Sequence, residues 1–178
     1  IDVSNPNALP RPIGELDTGV GLKAIHVAGN YAYIANRSIN GQLQIIDTAD
    51  PSNPSLLTTF KITAVTGTGG QALGNAIFYK GGHVYLGLTK TDTGPEFNII
   101  DVSNPAAPDW KGGYSIGHDI NAIYVRDNLA YIASPNDTEL IILDISTPTS
   151  PTLYGGIDLS DDSANGKSIA IVGNTLYL

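Results

Sequence analysis

The chain has 178 residues, 42% of them hydrophobic, and no cysteine, which is enough for a packed core and excludes disulfides and thiolate metal ligands. Nine Lys and Arg against seventeen Asp and Glu leave a net charge of -8, which argues against nucleic acid and against an anionic membrane surface as partners. Only 15% of residues are charged, 20 are Gly and 11 are Pro. No apolar run reaches the ~18 residues of a membrane span, so many short strands and no membrane insertion are expected.

Taken in order, the chain opens on Ile1-Asp-Val-Ser-Asn-Pro6, and this string has three relatives: Ile46-Asp-Thr-Ala-Asp-Pro51, Ile100-Asp-Val-Ser-Asn-Pro105 and Leu143-Asp-Ile-Ser-Thr-Pro148. Each reads as the end of an apolar strand, an Asp, and a turn whose Pro cannot donate to a sheet ladder and so stops the strand. The Asp residues recur at offsets of 45, 54 and 43 residues, which are periods of propeller blades. A second landmark is the run Ala24 to Ala35, repeated at Ala76 to Gly87, Ala122 to Ala133 and Ser168 to Leu178. In each, two β-rich stretches flank Gly-Asn, Gly-Gly or Asp-Asn, residues that tolerate the positive φ of a tight hairpin.

The repeat therefore predicts an all-β fold, a β-propeller of four-stranded antiparallel blades with strands A to D and A innermost. Strand A is expected at about 23–28, 75–80, 121–126 and 167–172, and strand B at 31–36, 83–89, 129–134 and 175–178. Strand C falls at 42–47, 96–101 and 138–144, and strand D at 9–17, 55–62, 109–116 and 152–159. The single domain then divides into a partial blade 1–17, whole blades 18–62, 63–116 and 117–159, and a partial blade 160–178. The first residue, Ile1, falls at the end of a strand C and the last on a strand B, so a fragment of a larger ring, from a longer or processed chain, is expected. Tyr33, Tyr85, Tyr131 and Tyr177 share one position of strand B and are expected to pack between neighbouring blades.

Leu43-Gln-Ile-Ile-Asp47, Phe97-Asn-Ile-Ile-Asp101 and Leu140-Ile-Ile-Leu-Asp144, each leading into a Ser/Asn/Pro turn and preceded by an Ala-Tyr-Ile-Ala type strand, resemble the LVIVD repeat. The resemblance covers essentially the whole chain. It implies the propeller fold and, because that family is found mostly in secreted or cell-surface proteins, an extracellular or cell-surface address. It implies no catalytic residues. The second copy departs from the pattern by an insertion between Thr63 and Gly74, where an individual function would be added.

The Asp of each copy suits a hydrogen-bonded turn better than a ring of metal ligands. The loops from strand D to the next strand A have no packing duty and meet at one mouth of the channel, so a ligand is expected there. Lys23, Asn75, Asn121 and Lys167 stand in one register just before strand A and are expected to line its rim, with His118 and Asp119 beside them. His118-Asp119 has the makings of acid–base chemistry, but neighbours on an extended segment point to opposite faces. His26 and His83 have no partner at zinc spacing. Asp158, Asp161 and Asp162 lie in an oxygen-rich stretch that partly matches a calcium loop, although Ser163 stands where Gly is needed; no other cofactor is expected. Asn36-Arg-Ser38 and Asn136-Asp-Thr138 match the glycosylation tripeptide.

No nucleophile, base and orienting group come together in the sequence, so the expected function is a non-catalytic module for protein interaction or scaffolding. Its expected partners are other proteins, cell-surface components and other blades of the parent chain. Two alternatives compete. A propeller lyase or hydrolase acting on polysaccharide would need His118 to converge with Lys23 or Lys167, and a lectin-like module would need exposed aromatics in the D-to-A loops, which contain none.

Overall fold

The computed structural model describes residues 1–5, 7, 9–19, 21–135, 138–159 and 165–178. Its strands form three four-stranded sheets and a hairpin, all antiparallel, with no helix among the described residues. The first sheet is β1 (Leu22–Ala28), β2 (Tyr31–Asn36), β3 (Leu43–Asp47) and β4 (Ser55–Phe60), paired in that order. The second is β5 (Gly74–Lys80), β6 (His83–Leu88), β7 (Phe97–Asp101) and β8 (Asp109–Tyr114). The third is β9 (Ala122–Arg126), β10 (Leu129–Ala133), β11 (Leu140–Asp144) and β12 (Thr152–Ile157), and β13 (Ala170–Val172) pairs with β14 (Thr175–Tyr177). These are the A to D strands of blades one to three and the A and B strands of a fourth. β1 lies against β5, and β5 against β9, across the blades, so strand A is innermost.

One expected strand is absent. Residues 9–17 make only an isolated bridge, Asp2 to Arg11, where a full strand D had been expected. Pro10 and Pro12 on either side of that bridge have no N–H to donate to a ladder.

The repeat's apolar runs are explained by burial on both faces. Leu43 and Ile45 of β3 join Val84, Leu86 and Ile100 of the second blade in one cluster, while Ile46, on the other face of β3, packs with Ala32, Ile34 and Leu16. Tyr85, Phe97 and Ile99 leave the second blade in the opposite direction and meet Ile123, Ile132 and Leu143 of the third. Alternate residues of one strand thus serve two different interfaces, which is why the strands do not alternate apolar with polar. Each fully buried side chain of this size contributes roughly 1.5–3 kcal/mol. Tyr33 and Tyr85 fill such interfaces as expected; Tyr131 is half-buried and Tyr177 is exposed, since no complete blade covers them.

Three irregularities repeat. Between β3 and β4, β7 and β8, and β11 and β12 the register shifts at the same point, leaving Leu57, Lys111 and Tyr154 as extra residues on the outer strand. Such bulges increase strand twist, and here they do so at the rim of every complete blade. On β1, Ile25 and Val27 are 54% and 59% exposed, although their counterparts Ile77 and Tyr79, or Ile123 and Val125, face a preceding blade. The described sheets therefore form an open arc.

Close packing between blades shows most sharply at Gly87. A Cβ there would lie 2.4 Å from Cγ2 of Ile120, a side chain with no exposed surface. Gly87→Ala is therefore expected to destabilise the protein by about 1–3 kcal/mol through overpacking, measured as a lower urea midpoint.

Candidate functional site

The Asp of each repeat builds the turn that ends strand C. The backbone N–H groups of Ser4, Ala49, Ser103 and Ser146 donate to Oδ1 of Asp2, Asp47, Asp101 and Asp144 at 2.8–2.9 Å. Next comes a Pro-bearing turn closed by Asn53 N–H to Asp50 O, Ala107 N–H to Asn104 O and Ser150 N–H to Thr147 O. The Ser103 backbone N–H, its hydroxyl and the nearby Lys111 ammonium hold the Asp101 carboxyl down at about 2. Bonds from Ser4 and Ser146 likewise lower Asp2 and Asp144. These carboxylates are engaged by their own turns.

At the D-to-A end, Lys23 and Asn75 are extra residues in the A–B ladders, where the register shifts between Leu22 and Ala24 and between Gly74 and Ala76. A bulge re-aims its side chain. Asn75, 8% exposed, donates to the carbonyl of Ile120 at 2.7 Å, and Asn121 repeats the contact on Gly166 at 2.7 Å. The Asn75 amide nitrogen also lies 3.5 Å from Oδ1 of Asn121. The asparagines of the expected rim thus tie each inner strand to the next blade, whereas Lys23 and Lys167, in the same register, are exposed. His118 is not brought onto Asp119: the Asp119 carboxylate accepts from the backbone N–H of Lys90 at 2.8 Å, and its carbonyl accepts from the Ser134 hydroxyl.

Under this rim lies a set of residues that sequence reasoning missed. Gln42, Glu96 and Glu139 stand five positions before the repeat Asp and are buried, at 1%, 2% and 2% exposure. Each accepts a hydrogen bond from the backbone fifteen positions after that Asp: Ile62 to Gln42 at 3.1 Å, Ile116 to Glu96 at 2.8 Å and Leu159 to Glu139 at 2.9 Å. They anchor the start of every D-to-A loop. Glu96 also accepts from the N–H groups of Gly117 and Thr91 and from the Thr91 hydroxyl. Burial pushes its carboxyl up, but the four bonds outweigh that and hold it below the usual value. The signal in the sequence was a Gln or Glu at one fixed place, immediately before each of three recurring strands.

Other expectations fall as follows. The insertion folds back on the B-to-C loop of its own blade through Thr66 N–H to Thr93 O and Thr68 to Asp92, and buries Val65 and Ala72 in the core. Of the calcium candidates, Asp161 and Asp162 lie outside the described residues, and Asp158 lines a groove of about 410 Å³ with Tyr114, Ile116, Ile141 and Leu153. No group of three or more metal-ligating residues occurs among the described residues. Asn136 is also outside them. Asn36 is 2% exposed and its amide donates to Gln44 at 2.9 Å, so its tripeptide is closed to a glycan.

Glu96→Ala leaves three backbone donors without their acceptor and is expected to lower stability by about 2–4 kcal/mol, with Glu96→Gln costing less because Gln42 does the same work in the first blade. The folded carboxyl sits below its unfolded value, so its contribution is complete above about pH 4.5 and is lost as pH falls through the folded value. Urea titrations should accordingly show the gap between wild type and Glu96→Gln narrowing below that pH.

Comparison with known proteins agrees with this geometry. The family model of the LVIVD repeat matches residues 23–61, 77–115 and 118–161, one stretch for each complete blade. No curated protein matches the chain. Among solved structures it is similar to the computationally designed Ika4 protein, with 13% identity and a TM-score of 0.61 over 94% of this chain and 91% of that one. It is also similar to the N-terminal domain of Nup159, with 8% identity and a TM-score of 0.49 over 86% of this chain and 37% of that one. The likeness to Ika4 is one of fold. With three matched stretches covering well over half of its length, the chain belongs to the LVIVD-repeat family and folds as a row of β-propeller blades.

Proposed function

We propose that this chain is a non-catalytic propeller module that works outside the cell or at its surface, where it binds another protein or an envelope component through its D-to-A face. The observation that carries the reading is what the polar side chains are already doing. Asp119 holds Lys90, Asn75 and Asn121 clasp the next blade, and Glu96 anchors a loop, so the groups that an acid–base mechanism would recruit are committed to the backbone. What stays exposed at that face is Lys23 and Lys167, with the groove of about 410 Å³ beside Tyr114 and Asp158. An amphipathic groove suits recognition. The family resemblance supports the extracellular setting, and the D-to-A face is where the repeat tolerates variation in length.

Binding of the fluorescently labelled chain to intact cells, with Lys23→Glu, Lys167→Glu and Asp158→Lys variants as controls, tests the reading. Reduction of binding by about tenfold or more in these variants, with Asp47→Asn unaffected, is expected. Hydrolysis or elimination of a polysaccharide that disappears in His118→Ala would contradict it.

A further inference from the structure

At the opposite end of the arc, where the A-to-B and C-to-D turns lie, the first two blades do not meet as the others do. Lys80, at the tip of β5, donates to the carbonyl of Asp127 at 3.0 Å. Arg126, at the tip of β9, donates to the carbonyl of Gly173 and to Oδ1 of Asn174. A cation at the tip of each of these inner strands thus ties its blade to the next hairpin. The matching residue of the first blade is Ala28, which has nothing to reach with. There a cleft of about 520 Å³ opens, lined by Ala28, Tyr31, Tyr33, Tyr79, Ser103 and Pro105.

Two of these tyrosines depart from the repeat. The place of Tyr79 is held by Val27, Val125 and Ile171 in the other blades, and that of Tyr31 by His83, Leu129 and Thr175. An aliphatic side chain would fill this interface without a polar atom. Instead the Tyr79 ring stacks on Tyr33, with centroids 4.8 Å apart and planes at 12°. None of the hydroxyls of Tyr31, Tyr33 and Tyr79 has a hydrogen-bond partner among the described residues, and that of Tyr33, whose ring is buried, opens on the cleft. These hydroxyls are free to bond a ligand or water in the cleft. Burial, then the neighbouring Tyr79 and Tyr31, push the Tyr33 hydroxyl up to about 12, so it remains a neutral donor and acceptor.

The ligand's chemistry follows from the lining. None of the described residues around the cleft is charged, so an anion or a cation would be desolvated there without a counter-charge. The volume lies in the range of about 300–1,000 Å³ typical of small-ligand sites. Hydroxyls that can donate or accept, set beside aromatic rings and Pro105, match a molecule whose own hydroxyls alternate with C–H faces. We propose that the cleft between the first and second blades binds the ring of a neutral saccharide, with the tyrosine and Ser103 hydroxyls meeting its hydroxyls and the aromatic rings its C–H face. This site is distinct from the D-to-A face, and either can fail without the other.

The test is an NMR titration of the whole chain with neutral probes: glucose, galactose, mannose, N-acetylglucosamine and cellobiose, alongside a proline-rich peptide. At least one saccharide is expected to shift the amides of Ala28 to Tyr31 and of Val102 and Ser103 in a saturable way. Tyr33→Phe and Tyr79→Phe, which keep the rings and remove only the hydroxyls, should each weaken that binding about 5- to 15-fold while leaving the urea midpoint nearly unchanged. Ala28→Arg, which supplies the cation found at Arg126, should close the cleft and abolish binding. Saccharide binding indifferent to these substitutions, binding of the peptide alone, or no shift of these amides by any saccharide would each overturn the proposal.

Discussion

A sheet whose middle strands are apolar on both faces cannot stand alone in water, and this constraint governs the molecule. β3, β7 and β11 send alternate side chains to opposite neighbours, so Ile45 and Ile46, adjacent in sequence, belong to different cores. The second blade is held from both sides, by Val84, Leu86 and Ile100 on one and by Tyr85, Phe97 and Ile99 on the other. Stability in such an array is a sum of interfaces as much as of blades. The exposed Ile25 and Val27 of β1 are the same surface without its neighbour.

Polar groups then fix how the blades sit. At one end of the inner strands, Asn75 and Asn121 reach the backbone of the following blade; at the other, Lys80 and Arg126 do so. Beside the asparagines, at the D-to-A end, the buried Gln42, Glu96 and Glu139 anchor the outer strand's exit to the start of strand C. These contacts leave few polar side chains over for chemistry. Where the scheme lapses, at Ala28, the interface opens into the tyrosine cleft. Binding capacity therefore arises at departures from the repeat, because positions that keep to it are occupied in holding the blades together.

Much of this was legible in the sequence, because the constraints are local and recur. The Asp-to-Pro turn needs an acceptor two residues before a backbone N–H, and the hairpins need positive φ, met at Gly29, Gly81, Asp127 and Gly173. The LVIVD resemblance, and with it the fold, rested on such positions. The rest depended on contacts between copies. Asn75 looked like a rim residue because nothing in its string reveals that a bulge turns it toward Ile120, some 45 residues on. Glu96 drew no notice as the first residue of a strand C, and only the approach of Ile116 and Gly117 makes it a buried acceptor. Residues 9–17 hold the place of strand D in the repeat, but Pro10 and Pro12 have no N–H to give to a ladder, and only the Asp2–Arg11 bridge forms. Tyr33 could be read as a space-filling ring; the idle hydroxyls of Tyr31 and Tyr79 beside it could not, since they come from different blades.

The central claim, that the blades are stabilised through one another, is tested most directly by native-state hydrogen exchange on the chain and on a Leu86→Ala variant. Leu86 has no exposed surface and belongs to the cluster between the first and second blades. The account predicts highest protection in β2, β3, β6 and β7, lowest in β13 and β14, and a loss of about 2–5 kcal/mol in Leu86→Ala that appears in the first blade's β2 and β3 as well as in β6. Protection lost only in the second blade, with β2 and β3 unchanged, would show that the blades stand independently and would contradict it.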